Sequence, residues 1–239
     1  MSAGKLKKVL VCMVFAAVLL APVVVWLVSV GNPLDYLDHT LPPGQALYVT
    51  SKFAALLALS CFWAQCLLAL ARRTPVLNGI PPAPLKLHRR LGCATLVLVL
   101  AHVGLFFVAA SLRGGVPAWS LLLPNFGQGY YNAFVSLGLL AFWCLLLVAY
   151  AGWRVSRGRQ RWKLVHMLWF VVFTLVFLHA YAIGSESRFG AMRYVLLFVA
   201  TSLVAASWSR LRVAMKGRRP AIEQPAGVAL EQVRERERV

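Results

Sequence analysis

The sequence is short of acid. Only seven Asp and Glu residues occur among 239, against 25 Lys and Arg. Asp35, Asp38, Glu186, Glu223, Glu231, Glu235 and Glu237 all fall in connecting segments or in the C-terminal tail rather than inside a long apolar run. That removes the intramembrane carboxylates on which proton relays and many ion-coupled transporters rely. Cysteine is also sparse. Cys12, Cys61, Cys66, Cys93 and Cys144 form neither a C-x-x-C pair nor a C-x-x-C-H segment, which excludes covalent heme attachment and leaves the five thiols as packing residues. No Gly-rich dinucleotide fingerprint is present, so no FAD or NAD(P)H domain is expected in this sequence.

What the sequence has in abundance is apolar length. Hydrophobic residues make up 60% of the chain and charged residues 13%, far from the balance of a soluble domain. Uncharged runs extend over Val9–Val30, Phe53–Ala71, Leu91–Leu112, Gly114–Trp153, Leu164–Ser185 and Tyr194–Ser209. A helix needs about 20 residues to cross the hydrocarbon core. Five runs suffice alone, and the sixth reaches that length when Gly190–Met192 are added and Arg193 snorkels to a headgroup. The expected fold is an all-α integral membrane protein, a bundle of six transmembrane helices. Residues 1–8 form a cytoplasmic N-terminus, 9–213 the membrane domain and 214–239 a polar cytoplasmic tail. The first run, 22 residues with no small-residue cleavage site before Gly31, reads as an uncleaved anchor.

A net charge of +18 invites a nucleic-acid reading, but its placement argues otherwise. Basic residues cluster before the first span (Lys5, Lys7, Lys8), between the second and third (Arg72, Arg73, Lys86, Arg89, Arg90), between the fourth and fifth (Arg154, Arg157, Arg159, Arg161, Lys163) and after the sixth. Those are alternate loops. They hold 21 of the 25 basic residues, leaving Lys52, Arg113, Arg188 and Arg193 on the other side. The positive-inside rule then puts both termini in the cytoplasm. The charge reports orientation in a lipid bilayer, expected to be a bacterial inner membrane, and no nucleic-acid partner is implied. The long outer loop, Ser111 to about Tyr130, carries Trp119, Leu121, Leu122, Leu123 and Phe126 between glycines and prolines. It is expected to lie on the membrane surface, where it could cap an outer site.

The polar side chains tolerated inside the runs are chiefly histidines. His88 and His102 lie on the third span, and His166 and His179 on the fifth. Both spans start from the basic side. Separations of 14 and 13 residues place one histidine of each pair near the inner surface and the other about 20 Å deeper, at about 1.5 Å per residue. Two levels of facing imidazoles result. Neutral imidazole is a suitable axial ligand for heme iron, and two per iron give a six-coordinate centre suited to electron transfer. His88 with His166 is the candidate pair for an inner heme b, and His102 with His179 for an outer one. Arg89 and Arg90 are candidate partners of the inner heme's propionates, with Arg113, Arg188 and Arg193 available on the outer side. Trp169, Phe170, Phe173 and Phe177 lie between the two levels. Helical geometry supports the third span better than the fifth. Fourteen residues fall about 40° short of four turns, but thirteen fall about 140° short, so His166 and His179 would diverge on an ideal helix. Local tightening, different rotamers, or hemes on either side of that span would each reconcile them.

The segment Leu87-His88-Arg89-Arg90-Leu91-Gly92, followed by His102, His166 and His179, resembles the ferric reductase-like transmembrane domain. Iron reductases, NADPH oxidases and the heme-binding membrane subunit of the periplasmic methionine-sulfoxide reductase system share that domain. The resemblance spans about Ala46 to Arg212. It implies that the four histidines ligate heme iron and that electrons enter from the cytoplasm and leave outside. It also implies a donor beyond this chain, either a separate flavoprotein reductase or a membrane quinone, and an outer acceptor such as ferric iron, oxygen or a periplasmic oxidoreductase. The methionine-sulfoxide subunits rely on the positions of His102, His166 and His179, so His88 favours the two-heme branch. A non-redox channel or structural protein using histidine for gating or packing is the alternative from another class. The expected orientation is tested by reporter fusion: a C-terminal fluorescent protein should be fluorescent, and alkaline phosphatase inserted between Ser111 and Tyr130 should be active.

Overall fold

The computed structural model describes residues 3–37, 41–71 and 85–216. Asp38, His39, Arg72, Arg73, the prolines of the 72–84 loop and the charged tail from residue 217 onward lie outside the described residues. Among the described residues every regular element is helical. Six stretches are long and apolar enough to cross a membrane: Val9–Val30, Gln45–Ala71, Leu85–Gly114, Gly129–Ser156, Gln160–Ile183 and Met192–Met215. The chain is thus a multi-pass membrane protein of the expected class. Its helices are α1 (Ala3–Val30), α2 (Gln45–Ala71), α3 (Leu85–Gly114), α4 (Gly129–Ser156), α5 (Lys163–His166), α6 (Trp169–Ile183), α7 (Ser185–Arg188) and α8 (Met192–Lys216).

α2 is the axis of the bundle. Of its apolar window 61% is buried, against 22% or less for each other span. It packs on α1, α3 and α8, while α4 pairs with α5 and α6. The core runs along α2 through Phe62, Trp63, Leu67 and Leu70 to Leu196, Val199 and Leu203 of α8 and Val172 and Phe173 of α6. Lipid tails are as apolar as leucine, so burial alone does not hold membrane helices together; close packing and a few hydrogen bonds do. The Trp63 indole, fully buried, donates to Ser202 Oγ on α8 at 2.8 Å. The Trp26 indole of α1 donates to the Val49 carbonyl of α2 at 3.1 Å.

A third bond follows from covalent chemistry. Pro22 sits inside α1 and has no backbone N–H, so the carbonyl of Val18 loses its helical donor. In lipid such an orphan must be satisfied by protein. Ser60 of α2, completely buried, donates its hydroxyl to that carbonyl at 2.9 Å. The proline thereby creates the acceptor that docks α1 on α2.

The uncharged run Leu164–Ser185 does not form one helix: it is divided at Met167 and Leu168 between α5 and α6. After Gly184 the chain forms the short helix α7 before α8 begins. The loop before α4 holds a single 3-10 turn, Trp119–Leu122, tied back where Ala118 N–H donates to Ser111 Oγ at 3.0 Å. Replacing Ser60 with Ala should lower the stability of the detergent-solubilised protein by about 1 kcal/mol. The loss should shrink in a Pro22→Ala background, where the backbone N–H restored at that position can reclaim the Val18 carbonyl; thermal unfolding of the two single variants and the double variant measures it.

Candidate functional site

The α2–α3 and α4–α6 pairs face each other, and the four histidines of the third and fifth spans lie on the facing sides. At the level where α3 begins, the rings of His88 and His166 stand with centroids 6.3 Å apart and planes at 82°. Two metal–nitrogen bonds of about 2 Å, with about 1 Å more from each nitrogen to its ring centre, give about 6 Å. The centroid separation of 6.3 Å is close to that sum. At the other level His102 and His179 border one cavity of about 210 Å3, together with Phe62, Phe106 and Phe142. Leu121 of the loop before α4 also lines it.

Three of the imidazoles are held in the same way. His102 Nδ1 lies 3.0 Å from the Ser51 carbonyl of α2, His166 Nδ1 3.1 Å from Val148 O, and His179 Nδ1 2.8 Å from Phe134 O, both on α4. A carbonyl oxygen only accepts, so each Nδ1 carries the proton and each Nε2 keeps its lone pair. That is the tautomer in which metal-ligating histidines are usually fixed by their surroundings. Phe134 and Val148 are 14 residues apart on one helix, which places the two acceptors on one face about 21 Å apart. The spacing reproduces the two levels.

His166 and His179 face α4 together because the fifth span is locally overwound. Around the break between α5 and α6, Met167 N–H bonds Leu164 O at 3.1 Å, Leu168 bonds Val165 at 3.1 Å, Phe170 bonds Met167 at 3.4 Å and Val171 bonds Leu168 at 2.9 Å. These are i→i−3 bonds. Met167 and Leu168 have ψ of −14° and −2°, flatter than an α-helix. A 3-10 turn advances about 120° per residue instead of about 100°, so the i→i−3 bonding here turns the later part of the span in the direction that makes up the shortfall. Local tightening, one of the three reconciliations, is present at this break.

Several expected neighbours sit elsewhere. Phe173 turns into the core against Phe62, with ring centroids 6.2 Å apart, Trp169 stacks on Phe170 at 3.7 Å, and Phe177 stacks on Tyr181 at 5.7 Å. None of the four aromatics between the levels lines the cavity; the rings that do come from α2, α3 and α4. Arg89 and Arg90 are exposed on the first turns of α3. Arg113 donates to Gln45 Oε1 at 2.6 Å, while Arg188 and Arg193 lie over the rings of Tyr130 and Tyr181.

The cavity contains one charged pair that the linear sequence conceals. Glu186, on α7, is only 8% exposed and lies 2.5 Å from Lys52 Nζ of α2. Ser185 Oγ donates to its other oxygen at 2.9 Å. Both charged residues line the cavity that His102 and His179 border, and Lys52 also lies over the Tyr48 ring. Glu186 is a loop residue by sequence and a cavity residue by fold, because α7 turns back over the bundle.

The donor set distinguishes kinds of metal centre. Among the described residues no three His, Cys, Asp or Glu side chains converge. A non-heme ion would be short of protein ligands at either level. Heme brings four nitrogens of its own and needs two more from the protein, which is what a pair of Nε2 atoms offers. The residues present fit that group.

Six membrane-spanning helices bring four histidines of the third and fifth spans to two levels of the bundle. The family described as "Ferric reductase like transmembrane component" matches residues 54–177, 124 of the 239, and the chain belongs to it. The match takes in His88, His102 and His166 and stops two residues before His179. Neither a curated protein nor a solved structure matches the chain.

Glu186 and Lys52 provide a direct test of the cavity wall. Removing one partner of a largely buried pair leaves the other charge stranded, which costs more than removing both. Lys52→Met and Glu186→Gln should each lower the melting temperature in detergent, and the double variant should melt above the worse of the two.

Proposed function

We propose that this chain is a di-heme b-type conduit that carries electrons across a membrane, from the side bearing the basic loops to the opposite side. The observation that carries the proposal is the His88–His166 pair, two imidazoles from different spans held with ring centres 6.3 Å apart. One level away, His102 and His179 border a shared cavity. Iron held in a porphyrin by two imidazoles supplies reversible one-electron transfer with no open coordination position. The protein's part is to hold Nε2 of each ligand in the metal-binding tautomer, which Ser51, Val148 and Phe134 do through their carbonyls for His102, His166 and His179. The mainly apolar lining of the outer cavity lowers the local dielectric there.

Membership of a ferric reductase-like family supports the same reading, since members pass electrons through the membrane domain to an acceptor on the far side. On this reading the basic loops face the cytoplasm and receive electrons from a separate flavoprotein or from a membrane quinone. Ferric iron, oxygen or a periplasmic oxidoreductase takes them from the outer level. Arg89 and Arg90, exposed beside the inner pair, are available to anionic groups at the inner surface.

Purified protein, expressed with heme supplied, should show a reduced b-type spectrum and about two hemes per chain. His102→Ala and His179→Ala should each leave one heme, and a redox titration should then lose one of two components. His88→Ala or His166→Ala should remove the other component. A colourless preparation that retains its fold would overturn the proposal.

A further inference from the structure

α4 carries no metal ligand of its own, yet two of its glycines lie directly under two of the imidazoles. A Cβ built on Gly138 would lie 2.6 Å from His179 Nδ1, 2.8 Å from Cε1 and 3.0 Å from Cγ. One built on Gly152 would lie 3.1 Å from His166 Cε1 and 3.1 Å from Nδ1. In each case the carbonyl that accepts the imidazole proton belongs to the residue four positions earlier: Phe134 for Gly138 and Val148 for Gly152. The carbonyl of residue i and the Cβ of residue i+4 occupy the same strip of a helix surface. A side chain at that place would therefore cover the acceptor. On α2 the same place after Ser51, the acceptor for His102, is taken by the small residue Ala55.

We infer that Gly138 is a positioning residue for the outer histidine pair: its missing side chain lets the His179 ring lie on α4 and bond the Phe134 carbonyl, which sets the ring's tautomer and the direction of Nε2. Gly152 does the same for His166 with more room. Ordinary helix packing does not account for Gly138. Where glycine serves close helix–helix approach, the neighbouring backbone is what a Cβ would strike. Here the three nearest atoms all belong to the imidazole. Glycine also disfavours a helix interior relative to alanine, so Gly138→Ala would favour the helix if the ring were not there. The fourteen-residue interval between the two glycines equals the interval between the carbonyls they uncover, so α4 acts as a template for both levels.

The inference rests on the di-heme reading, and the experiment separates the two. If the unaltered protein binds no heme, the di-heme reading fails before any variant is made. With two hemes in the unaltered protein, Gly138→Ala should lower the heme-to-protein ratio from about two toward one. It should remove or shift the redox component and low-spin EPR signal that His179→Ala removes, and leave the inner component in place. Gly152→Ala, whose contacts are looser, should keep both hemes and alter the EPR signal of the inner one. Gly104→Ala, with nothing within 4 Å of the added methyl, is the control and should change neither. Should Gly138→Ala fail to accumulate in the membrane, adding His179→Gly should restore accumulation, because the clash is with the ring. Two hemes with unchanged potentials and EPR signals in Gly138→Ala, or no rescue by His179→Gly, would overturn the inference.

Discussion

Inside a bilayer a polar group keeps its demand for a hydrogen bond and loses the water that would meet it. The organisation of this bundle depends on how that demand is met. Backbone carbonyls, which have two lone pairs and spend only one on the helix, act as acceptors for side chains of neighbouring helices. Val18 O, freed by Pro22, takes Ser60; Val49 O takes Trp26; Ser51, Val148 and Phe134 take three imidazoles. Each bond both docks one helix on another and orients a side chain. For the histidines that orientation is chemical as well as structural, because a proton held at Nδ1 leaves the lone pair of the neutral imidazole at Nε2.

The second constraint is the mismatch between helix period and ligand spacing. Fourteen residues bring a side chain almost back to the same face, and α3 and α4 use that interval, one for histidines and the other for acceptors and glycines. The fifth span has thirteen and needs a compensating twist. It is concentrated between Leu164 and Val171, next to His166, where ψ flattens and i→i−3 bonds appear. Overwinding there leaves the rest of α6 regular and both rings on α4. The outer end has a different character. α7 folds Glu186 against Lys52, so a cavity lined mainly by apolar and aromatic residues also carries a charged pair. A neutralised carboxylate inside such a wall is tolerable where a lone one would not be.

The parts of this protein legible in its sequence are those governed by local chemistry. Six spans follow from apolar length, which lipid enforces on each helix separately. The four histidines stand out because imidazole is costly in hydrocarbon, and their pairing by depth follows from about 1.5 Å of rise per residue. The glycines were visible too: Gly138 and Gly152 share the fourteen-residue interval of His88 and His102, although a spacing alone does not say what a missing side chain makes room for. The aromatics of the fifth span are packing residues: Phe173 meets Phe62 and Phe177 stacks on Tyr181, while the cavity takes its aromatic rings from α2, α3 and α4.

The sequence by itself determined the number of spans, the two depths at which histidines lie and the asymmetry of charge between the two sides, since each depends on one segment and its solvent. Only the tertiary structure decided that the fifth span overwinds and that its two imidazoles share α4 as a template. It also decided that Glu186 is a cavity residue and not a loop acid. Those outcomes depend on where one helix's carbonyls fall against another's side chains, a relation between distant segments that neither segment encodes alone.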